Sequence, residues 1–228
     1  MFSFSDAELT AIVLSLKVAS VAILWALPPA IWVAWLLARK QFWGKTLLNG
    51  IVHLPLVLPP VVIGYLLLIL IAKKGLIGQY LWQWFGISFS FSWRGAVLAS
   101  VVMAFPLMVR AIRLAFENVD PKLEHAARTL GASPLKVFFT LNLPLSLSGI
   151  IAGSVLGFAR SLGEFGATIT FVSNIPNQTQ TIPAALYSFI ESPDGERAAA
   201  RLCLVAIAIS LTALFCSEWL AQRQKRTH

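Results

Sequence analysis

Thr46-Leu47-Leu48-Asn49-Gly50-Ile51-Val52-His53-Leu54-Pro55-Leu56-Val57-Leu58-Pro59-Pro60-Val61-Val62-Ile63-Gly64-Tyr65-Leu66-Leu67-Leu68-Ile69-Leu70-Ile71-Ala72 is a stretch of 27 residues without a single Asp, Glu, Lys or Arg. A helix of about 20 apolar residues crosses a hydrocarbon core of roughly 30 Å, so this run predicts a membrane span. Pro55, Pro59 and Pro60 fall within six positions of it. Inside a bundle such prolines are tolerated where neighbouring helices or water satisfy the freed carbonyls. An interrupted helix facing a pathway and a kinked structural helix both fit. His53 is a lone imidazole here and is not a metal ligand on this pattern.

Outward from this stretch the pattern repeats. Val18–Ala38 is free of charge over 21 residues and Val137–Ala159 over 23. Gly95–Val109 and Leu202–Ser217 are shorter, at 15 and 16 residues, with Arg94, Arg110, Arg201 and Glu218 at their edges able to reach the interface. The 228-residue chain is 57% hydrophobic and only 12% charged, too little charge to solvate a soluble domain of this size. The fold class expected is all-α: a polytopic membrane bundle of about five helices, one unit over residues 1–228 with its core at about 9–221. Pro28-Pro29 and Pro106 are expected to kink the first and third spans. Asp6 and Glu8 stand where a signal peptide would carry basic residues, so the N-terminus reads as part of the first span. Lys17 is expected to snorkel to the outer interface. Residues 73–94, with Tyr80, Trp82, Trp84, Phe85 and Trp93, read as an interfacial aromatic belt holding a short amphipathic helix.

The net charge is +8, and its placement assigns it to topology rather than to nucleic acid. With the N-terminus outside, Arg39, Lys40, Lys45, Arg110, Arg113, Lys122, Arg128, Lys136, Arg223, Lys225 and Arg226 lie inside, against Lys73, Lys74, Arg94, Arg197 and Arg201 outside. That is the positive-inside bias. Cys203 and Cys216 sit on one predicted helix and read as packing residues rather than a disulfide. No Walker phosphate loop, metal-ligand cluster or Ser/His/Asp constellation is present in the sequence, so neither an enzyme in its own right nor a cofactor is expected.

Residues 117–144 stand where a short polar turn would suffice. Asp120-Pro121 is an N-cap followed by proline at the first helical position, Lys122 to Leu130 continues a helix, and Gly131 is its stop. Ser133-Pro134 repeats the device and leads into Leu135–Leu143, with Pro144 opening span four. A capped connecting loop and a docking element for a partner fit these signals equally, and the small residues Ala126, Ala127 and Gly131 permit close backbone approach.

On these residues the chain resembles a known family. His125-Ala126-Ala127-x-x-x-Gly131, followed by Leu141-x-Leu143-Pro144, is similar to the E-A-A-x3-G-x9-I-x-L-P signature of permeases in binding-protein-dependent ABC importers. His125 stands in place of the family glutamate, with Glu124 one residue earlier, and Leu141 in place of isoleucine. Leu54–Gly64, Phe105–Arg110 and Ser161–Ala167 are similar to the molybdate and sulfate permease group, and Thr168–Pro176 with Thr181-Ile182-Pro183 most resembles its molybdate members. The resemblance implies a multi-pass protein of the bacterial cell inner membrane, N-terminus periplasmic and C-terminus cytoplasmic. It implies a homodimer, a pair of cytoplasmic ABC ATPase subunits and a periplasmic oxyanion-binding protein. The loop would be the coupling helix, with Glu124, His125, Ala126, Ala127, Gly131, Leu143 and Pro144 at the ATPase. Sulfate or tungstate import is the alternative, and a secondary transporter fits less well because no second, similar half is seen.

Arg160 and Glu164 are an intramembrane ionisable pair at i,i+4 spacing, which marks a functional site or an ion pair fixing the bundle. Gly163 and Gly166 bracket Glu164, so a pathway or gate is expected over Arg160, Ser161, Gly163, Glu164 and Gly166. One Arg beside a Glu is a poor oxyanion site, which favours a low-affinity pathway. The polar segment Ser173 to Ala200, with Asn174, Asn177, Gln178, Gln180, Glu191, Asp194 and Glu196, reads as the docking surface for an external partner.

Overall fold

The computed structural model describes residues 4–225, so the end of the basic tail, from Arg226, lies outside the described residues. Among the described residues every regular element is helical. Helix α1 runs Asp6–Arg39 and passes through Pro28 and Pro29 as one helix. It is followed by α2 (Lys45–Val57), α3 (Pro60–Ile71), the short α4 (Gly78–Phe85) and α5 (Trp93–Glu117). The loop holds α6 (Pro121–Thr129), α7 (Pro134–Val137), a π-helical turn at Phe138–Asn142 and α8 (Leu143–Leu145). Then come α9 (Leu147–Leu162), α10 (Gly166–Val172), α11 (Ile182–Ile190) and α12 (Glu196–Lys225).

Three helices, α1, α5 and the apolar part of α12, are long and apolar enough to cross a membrane alone. Counting α2 with α3, and Pro134–Leu145 with α9, each as one broken span gives five. Of the two forms left open for the prolines of the second span, the interrupted helix is the one found. Leu58 and Pro59 are extended, and α2 and α3 meet at 114°. The physical cause is local: prolines at 59 and 60 offer no N–H to the carbonyls one turn earlier, and the second starts α3 as its N1 residue.

The expectation that Pro144 opens span four is also corrected. Pro144 lies inside α8, and the chain bends by 67° just after it, around Ser146. A proline ring clashes with the carbonyl four residues back, here Thr140, and the turn before it widens into the π form, with the Leu143 N–H donating to Phe138 O.

Helices α1, α5 and α9 form the packed centre. On α1 the stripe Ala19, Ala22, Ala26, Ala30 and Ala34 is wholly buried, as are Ala96, Ala99 and Ala104 on α5. Small residues at i, i+3 and i+4 spacing let helix backbones approach, the usual packing device where lipid removes the hydrophobic drive. Helix α9 uses Gly149, Gly153 and Gly157 against α5. A β-carbon at Gly153 would sit 3.0 Å from Ile112 Cγ1, and one at Gly157 2.7 Å from Met108 Sδ. The core has two halves, one around Leu37, Met108, Ile112 and Phe116, the other around Val18, Ile63, Met103 and Phe171. Helix α12 lies outermost, against α9 and α11. Cys203 and Cys216 are free and exposed on it.

Candidate functional site

The loop between α5 and α9 is built by caps. The Asp120 carboxylate accepts from the Lys122 N–H at 2.9 Å, and Ser133 Oγ accepts from the Lys136 N–H at 3.3 Å. Each satisfies one of the N–H groups that a helix start leaves orphaned. Helix α6 ends in a Schellman arrangement: the Ala132 N–H donates to Ala127 O at 3.0 Å, and Gly131 is left-handed at φ +86°. Glycine is required there by conformation and not by crowding, since a β-carbon at Gly131 would meet nothing within 4 Å.

The loop then shows one face outward. His125, Ala126, Gly131 and Pro144 are exposed, and Ala127 and Leu143 are half-buried. Between them Leu130 is 88% exposed, Leu135 72% and Phe139 61%. Three large apolar side chains exposed on one loop form a surface suited to a protein partner. From sequence, Leu130 and Leu135 read only as the end of one small helix and the start of the next, and Phe139 was not singled out.

Glu124 faces the other way. Its Oε1 lies 3.0 Å from Arg39 Nε, with only 16% and 11% of the two side chains exposed. Arg39 Nη2 also donates to Val119 O at 2.6 Å. The last residue of α1 therefore clasps α6 and the residue just before its cap. Sequence reasoning read Arg39 only as a marker of the inner side, and nothing in spacing pairs residues so far apart along the chain.

The second group lies at the break between α9 and α10. Arg160 and Glu164 do meet, Nη1 to Oε2 at 2.6 Å, but not on one helix as expected. Helix α9 ends at Leu162, Gly163 caps it, and Glu164 belongs to the connection. Its other oxygen, Oε1, accepts from the Ala167 N–H at 2.8 Å and so caps α10. The Glu164 side chain is 1% exposed and that of Arg160 26%. Both carboxylate oxygens are committed. Ser161 is buried beside them, while Gly163 is open, lining a groove of about 440 Å³ with Phe165, Tyr187, Ile182 and Ile207. Gly166 meets Pro60, where an added β-carbon would lie 2.8 Å from Pro60 Cβ, and Gly64 faces the Ala167 carbonyl oxygen in the same way at 2.5 Å. The two half-helices that follow the breaks, α3 and α10, thus cross backbone to backbone. Gly64 was quoted from sequence only as part of a motif; its glycine spacing to no partner in sequence gave no sign of this crossing.

Among the described residues no cluster of three or more His, Cys, Asp or Glu side chains is placed to hold a metal ion. In the polar segment 173–200 Asn174 is half-buried and donates to Ser188 Oγ at 2.7 Å. Asn177, Gln178, Glu191, Asp194 and Glu196 remain exposed.

Residues 27–226 match the family described as binding-protein-dependent transport system inner membrane component. The molybdenum transport system permease protein ModB of Haemophilus influenzae is 67% identical over 219 residues, covering 96% of each chain. The protein of the same name from Escherichia coli K12 is 64% identical over 218 residues, covering 96% of this chain and 95% of that one. In fold, the chain is similar to a bacterial ABC transporter that imports the acidic polysaccharide alginate, with a TM-score of 0.75 at 17% identity, covering 96% of this chain and 80% of that one. The capped loop, the broken spans and these likenesses agree, and the chain belongs to the family of binding-protein-dependent transport system inner membrane components, as a multi-pass membrane permease subunit.

Proposed function

We propose that this chain is the membrane permease of an ATP-driven importer for molybdate, working as a homodimer with two cytoplasmic ABC ATPase subunits and a periplasmic oxyanion-binding protein. The observation that carries the reading is near-full-length identity of 64–67% to molybdenum permeases, joined to a loop that leaves Leu130, Leu135 and Phe139 largely exposed. The N-terminus lies on the periplasmic side and the C-terminus in the cytoplasm, a reading that the distribution of Lys and Arg supports. ATP hydrolysis belongs to the partner, and this chain transmits it.

Ala126, Ala127, Gly131, Leu143 and Pro144, with His125 beside them, supply the loop surface for the ATPase. Leu130, Leu135 and Phe139 add the apolar area. Glu124 acts through Arg39, as a strut between that surface and α1. Arg160, Ser161, Gly163, Glu164 and Gly166 act as a gate hinge and not as an anion site, because the carboxylate neutralises the guanidinium. Selectivity then rests with the binding protein, docked on the exposed polar side chains of Asn177, Gln178, Glu191, Asp194 and Glu196.

Proteoliposomes holding the permease, its ATPase and the binding protein test this reading. Labelled molybdate is expected to enter only with ATP and all three components, and a competition series of tungstate and sulfate fixes the ion. Uptake without ATP, or an ATPase that fails to copurify, would sink it.

A further inference from the structure

The break between α9 and α10 offers a passing anion no set of converging donors, but such a set exists elsewhere. At the inner end of α5 a cleft of about 310 Å³ is lined by Asn49 and His53 from α2 and by Arg110, Arg113, Leu114 and Glu117 from α5. Arg113 Nε donates to Glu117 Oε1 at 2.7 Å, and its Nη1 donates to Asn49 Oδ1 at 3.1 Å. The Asn49 oxygen is therefore taken, which leaves its two amide N–H donors for another acceptor. His53 Nδ1 lies 2.8 Å from Asn49 O. A carbonyl oxygen only accepts, so Nδ1 carries a proton and the ring is fixed in the cleft wall. Glu117 offsets the charge of Arg113. Arg110 is exposed and has no ion pair or hydrogen bond among the described residues. One uncompensated guanidinium thus opens on a cleft edged by further donors.

We infer that this cleft is a cytoplasmic-side binding site for a tetrahedral oxyanion, with the Arg110 guanidinium as its anchor and Asn49 and Arg113 as supporting donors. The inference rests on the importer reading for which side of the membrane the cleft faces. A planar guanidinium matches two oxygens of a tetrahedral oxyanion at once, and no carboxylate competes for Arg110. The same chemistry has two sources: the transported ion on its way out, or the phosphate of an inner-leaflet phospholipid headgroup.

The permease–ATPase complex in zwitterionic phosphatidylcholine nanodiscs, without binding protein, tests the site with two probes. Labelled molybdate reports the free ion, and spin-labelled phosphatidylglycerol reports the headgroup. Saturable binding of either one, weakened about tenfold or more by Arg110→Gln and partly restored by Arg110→Lys, is the expected result, and the probe that binds names the source. If neither probe shows binding that depends on Arg110, the site is wrong. ATP-driven uptake with binding protein, measured on the same preparation, keeps the two readings apart. Uptake without Arg110-dependent binding removes the site alone. Failed uptake by the wild-type chain removes the importer reading, and the site is then decided by the lipid probe.

Discussion

At the scale of the residue, Gly131 shows how a conserved-looking motif position reduces to backbone geometry. Its φ of +86° closes the Schellman turn of α6. The space around it is open, so an alanine there meets no clash within the chain and carries only the strain of a left-handed L-residue, about 1–2 kcal/mol. That cost falls on the turn joining α6 to α7, which sets the direction of Leu135 and Phe139. Gly131→Ala is expected to leave membrane yield unchanged and to lower ATP-driven uptake several-fold. Gly131→Asn, a residue at ease in the left-handed region, is expected to keep most of the uptake that alanine loses. Parallel uptake assays on the two variants check this. Equal losses would place a partner against the missing β-carbon instead. The sequence was sufficient to mark Gly131 as a helix stop, because a capped start, a helical run and a glycine are local signals.

At the scale of the element, α6 is held at one end by Asp120 and in the middle by Arg39 through Glu124. A charge pair this shielded is worth more than an exposed one, and removing one partner strands the other. Arg39→Gln and Glu124→Gln are each expected to let the ATPase bind and hydrolyse ATP while uptake per ATP falls several-fold, since α6 then moves without α1. Arg39→Glu combined with Glu124→Arg restores the pair but not the bond from Arg39 to Val119 O, so it recovers uptake in part. The ratio of uptake to hydrolysis in proteoliposomes is the measurement, and an unchanged ratio in both single variants removes the strut. Elements with local signals were legible: the caps at Asp120 and Ser133, the five apolar runs, the short helix within residues 73–94. The strut was not, because residues on α1 and α6 meet only after the bundle has folded. The 114° break at Pro59 and the π turn before Pro144 were half legible. Proline announces a disturbance, but its form depends on which neighbours accept the freed carbonyls.

At the scale of the whole molecule, the first and last long helices are tied by residues 193 positions apart. Glu8 is wholly buried. Its carboxylate takes Arg201 Nε at 2.8 Å and Nη2 at 3.1 Å, and the Ser5 N–H at 2.7 Å. One side chain therefore completes the capping box that starts α1 and ties it to α12, which otherwise packs mainly on α9 and α11. Sequence reading used Glu8 only to reject a signal peptide and placed Arg201 at the edge of a run. Only the fold could join them. Arg201→Leu strands a buried carboxylate and is expected to lower stability. Glu8→Gln combined with Arg201→Leu is expected to return part of the loss by removing the charge that was stranded. Thermal unfolding of the purified chain in detergent should rank wild type above the double variant, and the double variant above Arg201→Leu. If Arg201→Leu melts with the wild type, the contact is incidental, and α12 is held by its apolar packing alone.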